Sequence, residues 1–208
     1  MSLLFVFDMD QVLYDYNWAQ RMSGMTQLTG HSLEKLRELW WHENGEIAAE
    51  AGAFGSAAEY LDAFCEAIEC EVAMDDWLRL RSDAMTPWPE SIAAVRRAAE
   101  FGQVTLLTNN GPLTGENLPR LAPELVDLFG DHLFASSFYG ARKPNPVVFE
   151  RVIARYGVTA EDTFFADDMP ENVAGAASVG IAAHHFTTAG SMLAAIESFA
   201  ADRGHAVA

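Results

Sequence analysis

The sequence predicts an α/β protein, a doubly wound parallel sheet with an all-helical insertion, and three observations carry that prediction. Short apolar runs alternate with longer amphipathic stretches, the pattern of strands joined by crossover helices. Several of the apolar runs end abruptly in polar residues. Between the first and second of them lies a long stretch with helical periodicity and no run that reads as a strand.

Leu3-Leu-Phe-Val-Phe7 reads as a buried strand stopping at Asp8. Val104-Thr-Leu-Leu107 is a second, followed by Thr108-Asn109-Asn110-Gly111, and Leu133-Phe-Ala-Ser136 a weaker third. Thr163-Phe-Phe-Ala166 precedes Asp167-Asp168, and Ile181 to Phe186 closes the series. Helices are expected over Glu90–Phe101, Leu118–Phe129, Val147–Tyr156, Glu171–Val179 and Ser191–Ala201. Four more are expected in the insertion: Trp18–Leu28, Ser32–His42, Ser56–Cys70 and Met74–Met85. Thr86-Pro-Trp-Pro89 reads as the hinge that returns the chain, because proline stops helices and stiffens connections. The division that follows is residues 1–15 and 87–208 as the α/β core and 16–86 as the helical insertion. Asp202 to Ala208 is expected to fray.

With 208 residues the chain can bury a sizeable core without disulfides. Its 13 basic and 30 acidic residues, net charge −17, exclude partners held by attraction to polyphosphate and so argue against nucleic acid and anionic membranes. No apolar run is long enough to span a bilayer, and Met1 to Phe7 is too short for a signal peptide. Cys65 and Cys70 match no zinc or redox spacing and read as core thiols of a cytoplasmic protein. Such a chain is expected to be a monomer or homodimer.

Open parallel sheets bind ligands beyond the carboxyl ends of their strands. There the sequence puts Asp8, Asp10, Thr108, Asn109, Asp167 and Asp168, with Lys143 in a loop. Four carboxylates brought together repel one another. A hard divalent cation with oxygen ligands, Mg²⁺, relieves that repulsion. A metal, carboxylates and a lysine together suit an anionic substrate.

Phe5-Val-Phe-Asp8-Met-Asp10-Gln-Val-Leu13 resembles the first motif of the haloacid dehalogenase-like (HAD) hydrolases, a hydrophobic strand followed by D-x-D. Leu106-Leu-Thr108-Asn109 resembles their second motif, Arg142-Lys143-Pro144 the third, and Phe165-Ala-Asp167-Asp168-Met-Pro-Glu-Asn172 the fourth. The order and the strand-end positions match, and the helical stretch falls where that family inserts a cap. The resemblance implies a Rossmann-like core and Mg²⁺-dependent hydrolysis of a small phosphorylated metabolite, with a sugar phosphate the first guess. It assigns Asp8 as nucleophile, Asp10 as general acid/base, and Thr108, the Asn109 amide and Lys143 as phosphoryl ligands. Mg²⁺ would sit on Asp8, the Asp10 backbone carbonyl and Asp168, with Asp167 at the edge of its shell. The alternatives on the same framework are a phosphoglucomutase-like phosphotransferase and a dehalogenase, which lacks the acid/base aspartate present here as Asp10; a non-catalytic binding protein is the third.

Gln11-Val12 stands where the family often has Gly-Thr, which implies an altered turn or an added pocket contact. Asp168-Met-Pro-Glu171 also reads as a capping box, and Thr108 to Gly111 as a turn. His184 and His185 are adjacent on a strand, so they face opposite ways and share no ion. Trp40, Trp41 and His42 read as insertion core, with a substrate-facing role open; a place at the pocket border is open to Tyr14, Tyr16 and Asn17, and Arg142 reads either as a surface or dimer residue or as a phosphate ligand.

Overall fold

A computed structural model describes residues 2–206. Four parallel strands form the main sheet: β1 (Leu3–Phe7), β4 (Gly102–Leu106), β5 (Thr163–Asp167) and β6 (Ala182–His185), in the order β4-β1-β5-β6. Every residue of β1 is buried, which is why that strand is an unbroken apolar run rather than an alternating one. Phe5 and Phe7 pack on one face, against Phe164 and Phe199 or Phe129. Leu4 and Val6 belong to a second cluster on the other face, with Val148, Phe149 and Phe165. Helices α6 (Pro89–Ala99) and α12 (Ala189–Ala201) cover the first face; α10 (Pro146–Tyr156) and α11 (Pro170–Ser178) cover the second. Burying each such aromatic contributes about 2–3 kcal/mol, so the central strand is the anchor of the core.

The chain leaves β1 toward β4 on one side and returns to β5 on the other. Asp8, Thr108 and Asp167 therefore meet at the carboxyl ends of three adjacent strands, at the switch in strand order where α/β ligands bind.

Between β1 and β4 runs the helical segment: α1 (Trp18–Thr29), α2 (Leu33–Leu39), α3 (Glu46–Glu50), α4 (Ala57–Ile68) and α5 (Met74–Asp83). It has its own hydrophobic cluster around Trp40, Tyr60, Phe64 and Trp77, joined by Leu113 and Leu121 from the other side. Two short strands flank it, β2 (Tyr14–Tyr16) and β3 (Met85–Pro87), paired antiparallel. The expected hinge is thus a two-stranded ribbon rather than a bare proline turn, and strand structure reaches into both ends of the stretch read as all helix.

Two further expectations are corrected. Leu133–Ser136 is not a strand: only Ala135 bridges to Thr108, although the Leu106, Thr108 and Ser136 amides bond along that edge. The chain then tightens into a 3₁₀ turn at Ser136–Tyr139, which ends the ladder. Leu118–Phe129 is not one helix but α8 (Leu118–Leu121), a 3₁₀ turn at Pro123–Leu125 and α9 (Val126–Phe129), preceded by α7 (Pro112–Glu116). Pro123 lacks an N–H and crowds the carbonyl four residues back, so the helix breaks there. At the far end α12 closes in turns at Asp202–Gly204; residues 207 and 208 of the expected frayed tail lie outside the described residues.

Candidate active site

Asp8 follows β1 directly and its N–H bonds to the Ala166 carbonyl at 3.0 Å, which ties it to β5. Met9 is fully buried in the core, so Asp8 and Asp10 are left to face the cleft together. Lys143 is 1% exposed, with Nζ 2.9 Å from Asp8 Oδ1 and 2.6 Å from Asp167 Oδ2. The approach to Asp8 is out of line for a hydrogen bond, and that oxygen has no other partner.

The Asn109 side chain clamps the lysine's backbone: its Nδ2 donates to Lys143 O and its Oδ1 accepts from Lys143 N, both at 2.9 Å. Nothing in the sequence points to that role. Thr108 is buried, and its hydroxyl accepts from Asn110 Nδ2 at 2.9 Å, leaving its proton free to donate. Asp167 is saturated: Met169 N–H and Asn172 Nδ2 donate to it beside Lys143. The capping-box reading of Asp168 is corrected here. Met169 is the N-cap of α11, without a side-chain cap, and Asp168 stays half-buried and free for the cleft. A cleft of about 210 Å³ is lined by Asp8, Asp10, Thr108, Asn109, Lys143 and Asp168 among others.

Asp8, Asp167 and Asp168 offer carboxylate oxygens within 4.8 Å of one another. Burial pushes the Asp8 carboxyl up to about 8, against the pull of Lys143 and with Asp167 adding repulsion. Burial raises Asp168 too, again with Asp167. Burial opposes the charge on Lys143, but Asp8 and Asp167 outweigh it and raise its pKa. Three carboxylates around one lysine leave a negative excess, and Asp8 has an unbonded buried oxygen. Both features fit a hard dication.

The helical segment supplies a residue the sequence reading missed. Arg81 of α5 is 1% exposed, and its Nη2 lies 2.7 and 2.6 Å from the two oxygens of Asp10. Its guanidinium stacks 3.8 Å from the Tyr16 ring centroid. Burial opposes the arginine's charge, but Asp10 and Tyr16 more than restore it. Arg142 pairs with Glu50 of α3 at 2.6 Å, so it ties the helical segment to the core and is not aimed at the cleft. Burial lifts Glu50 to about 7, with Arg142 opposing. Gly111 lets the core approach α3 and α4 closely: a Cβ there would meet the Tyr60 ring at 3.0 Å and Ala49 at 3.2 Å.

Gln11 adopts φ +59°, the left-handed conformation that favours glycine, and its Nε2 donates to Tyr16 O at 2.8 Å. Tyr14 bonds Glu124 and Asn17 caps α1; neither borders the cleft. Trp40 is buried in the segment's core and donates to Glu46 and Tyr60. His184 stacks on Phe164, whereas exposed His185 bonds the Asp168 carbonyl, so the two face apart.

A sequence profile of the haloacid dehalogenase-like hydrolases matches residues 3–180. The chain belongs to that family. It is 28% identical over 184 residues to Phosphatase MT3486 of Mycobacterium tuberculosis, covering 86% of this chain and 84% of that one. A shorter match, 43% over 61 residues, covers 29% of the chain and 31% of the sesquiterpene phosphatase astK of Aspergillus oryzae. A HAD family enzyme from Bacteroides thetaiotaomicron, crystallised with magnesium and inorganic phosphate, superposes with TM-score 0.75 at 19% identity, covering 90% of this chain and 95% of the other. A HAD-like hydrolase from Porphyromonas gingivalis gives 0.71 at 25%, covering 87% and 89%. This HAD hydrolase therefore has the parallel, helix-flanked fold of its relatives, and no helix among its described residues is long and apolar enough to cross a membrane.

Proposed function

We propose that the protein is a Mg²⁺-dependent phosphatase that hydrolyses a small phosphomonoester through an aspartyl phosphate on Asp8. The observation that carries this reading is the convergence of Asp8, Asp167 and Asp168 around the buried Lys143. The phosphatase among its relatives and the magnesium and phosphate bound by a structural neighbour support it.

An Asp8 oxygen forms a bond to phosphorus as the ester P–O bond breaks, and Asp10 delivers its proton to the leaving oxygen. Water then attacks the same phosphorus, Asp10 takes the water's proton, and Asp8 is released with inorganic phosphate. Thr108 Oγ1–H, the Asn109 N–H and Lys143 Nζ hold the phosphoryl oxygens. Asp8, the Asp10 backbone carbonyl and Asp168 hold Mg²⁺, with Asp167 fixing Lys143 behind them. Bound there, Mg²⁺ supplies the positive charge that lets a dianionic phosphate approach the carboxylates.

Residues 16–86 act as a cap over the core of 1–15 and 87–208, an assignment supported by the segment's separate hydrophobic cluster and the β2–β3 ribbon at its base. Closure excludes water and selects the leaving group, and a phosphorylated sugar or similar metabolite is the substrate class. Arg81 holds Asp10 from the cap side. Phosphate release from a panel of phosphomonoesters with Mg²⁺ tests the proposal. Asp8→Asn should reduce turnover by about 10⁴-fold or more, and full activity in that variant would exclude the covalent route.

A further inference from the structure

The cap contains two buried arginines, Arg21 at 4% and Arg81 at 1% exposed. Arg81 has the Asp10 carboxylate. Arg21, on α1, has no carboxylate within 4 Å among the described residues, in a chain with 30 acidic ones. Its Nη1 donates to the Tyr16 hydroxyl at 3.1 Å, while Nε and Nη2 are buried without an acceptor. The Trp77 ring lies 4.3 Å from its guanidinium carbon, and Trp77 Nε1 is buried and unpaired as well. Arg81 Nε is the fourth such donor.

Buried donors are almost always satisfied, and a buried cation is ordinarily paired. Aromatic faces offset part of the cost for Arg21, but they accept none of its remaining in-plane N–H bonds. Donors without acceptors, clustered round an uncompensated positive charge, suit an anion. Their position says whose anion it is. Asp10, Arg81, the Tyr16 ring and Arg21 form one continuous line of contacts. It runs from the group that protonates the leaving oxygen into the cap, away from the acidic side of the cleft.

We propose that Arg21, with Trp77 Nε1–H and Arg81 Nε–H, is a recognition subsite for an anionic group, a carboxylate or a second phosphate, carried on the leaving-group side of the substrate. The subsite deepens the phosphatase reading and rests on it for the place of the leaving group. Arg21 is the fourth residue of α1, five residues beyond Tyr16 of the β2–β3 ribbon, so cap movement at that ribbon would open the way to it.

Three compounds differing only in the distal group make the test: 2-phosphoglycolate, ethylene glycol bisphosphate and 2-hydroxyethyl phosphate, each with Mg²⁺. The wild type should prefer one or both anionic compounds by about tenfold or more in kcat/KM. Arg21→Gln should abolish that preference by raising KM for the anionic compounds alone, and Arg21→Lys should retain part of it. Trp77→Phe, which removes the indole N–H and keeps a smaller aromatic ring, should weaken the same compounds a few-fold and serves if Arg21→Gln does not fold. Equal loss on all three compounds, or no preference in the wild type, overturns the subsite while leaving the phosphatase reading intact. If neither these compounds nor any member of the phosphomonoester panel releases phosphate, the phosphatase reading falls, and binding followed by tryptophan fluorescence decides the subsite. Tighter binding of 2-phosphoglycolate than of 2-hydroxyethyl phosphate, lost in Arg21→Gln, upholds it; equal binding overturns it.

Discussion

The core wall around Asp8 and the helical wall behind Asp10 solve opposite electrostatic problems. On the core side one buried lysine is surrounded by Asp8, Asp167 and Asp168, so positive charge is scarce. On the helical side there are two buried arginines and one carboxylate, Asp10, which pairs with Arg81 and leaves Arg21 without one, so acceptors are scarce. A net charge of −17 says nothing of this division. Overall acidity governs long-range partners, whereas chemistry is decided by which few charges are desolvated together. One wall is short of a cation and the other of an anion, and the proposed substrate, a phosphate ester bound with Mg²⁺ and bearing a distal acid, would answer both.

Chelation strikes the acidic wall hardest. In EDTA, affinity for inorganic phosphate should fall on the order of 100-fold, read by calorimetry, and turnover should drop to background. Phosphate binding that is indifferent to EDTA would mean that Lys143 alone neutralises the site.

Removing the arginine from the opposite wall gives the next largest effect. Arg81→Met keeps the bulk but frees Asp10, and kcat for alkyl phosphates should fall on the order of 100-fold. p-Nitrophenyl phosphate, whose leaving group needs no proton, should lose far less, and Arg81→Lys should recover part of the difference. Equal losses on both substrates would make Arg81 merely structural.

A smaller effect sits where the walls join. The protonated form of Glu50 is favoured in the packed state, because burial lifts its pKa from 4.5 to about 7. The packed state therefore binds the proton more tightly than an exposed Glu50 does. Its contribution to packing is fully present below about 4.5 and is lost as pH rises toward 7, then stays level. Amide exchange at Ala49–Gly52, corrected for intrinsic rate, should quicken across that window. Glu50→Gln should flatten the step, and a step that persists in Glu50→Gln would place its origin elsewhere.

The smallest effect belongs to Gln11. Gln11→Gly relieves a left-handed φ worth about 1 kcal/mol and loses the bond to Tyr16, worth about the same. Thermal unfolding should therefore move by less than about 1 kcal/mol. A larger loss would give Gln11 a role at the ribbon beyond its own turn.

The acidic wall was legible because each of its residues ends a strand or opens the loop beside one, and short continuous apolar runs that stop at a polar residue announce strand ends in one dimension. The arginine wall was not. Arg21 and Arg81 lie inside amphipathic helices, where a charge reads as solvated surface, and only the folding of α5 onto β2 brings Arg81 over Asp10. Asn109 was marked for its amide, yet its side chain clamps Lys143 across 34 residues of chain, a pairing no local pattern encodes. The misread helix at Leu118–Phe129 had a visible signal in Pro119 and Pro123. Five-residue α3 had none, since it is too short to show a period.

Lysine scarcity has a practical consequence. The chain has two lysines, Lys35 with its side chain 46% exposed and Lys143 sealed between two carboxylates. Reductive methylation with ¹³C-formaldehyde would thus mark Lys35 at once and reach Lys143 only when the cleft opens. The delayed resonance is a clock for opening, wound by the protein itself, with the other lysine as its internal standard.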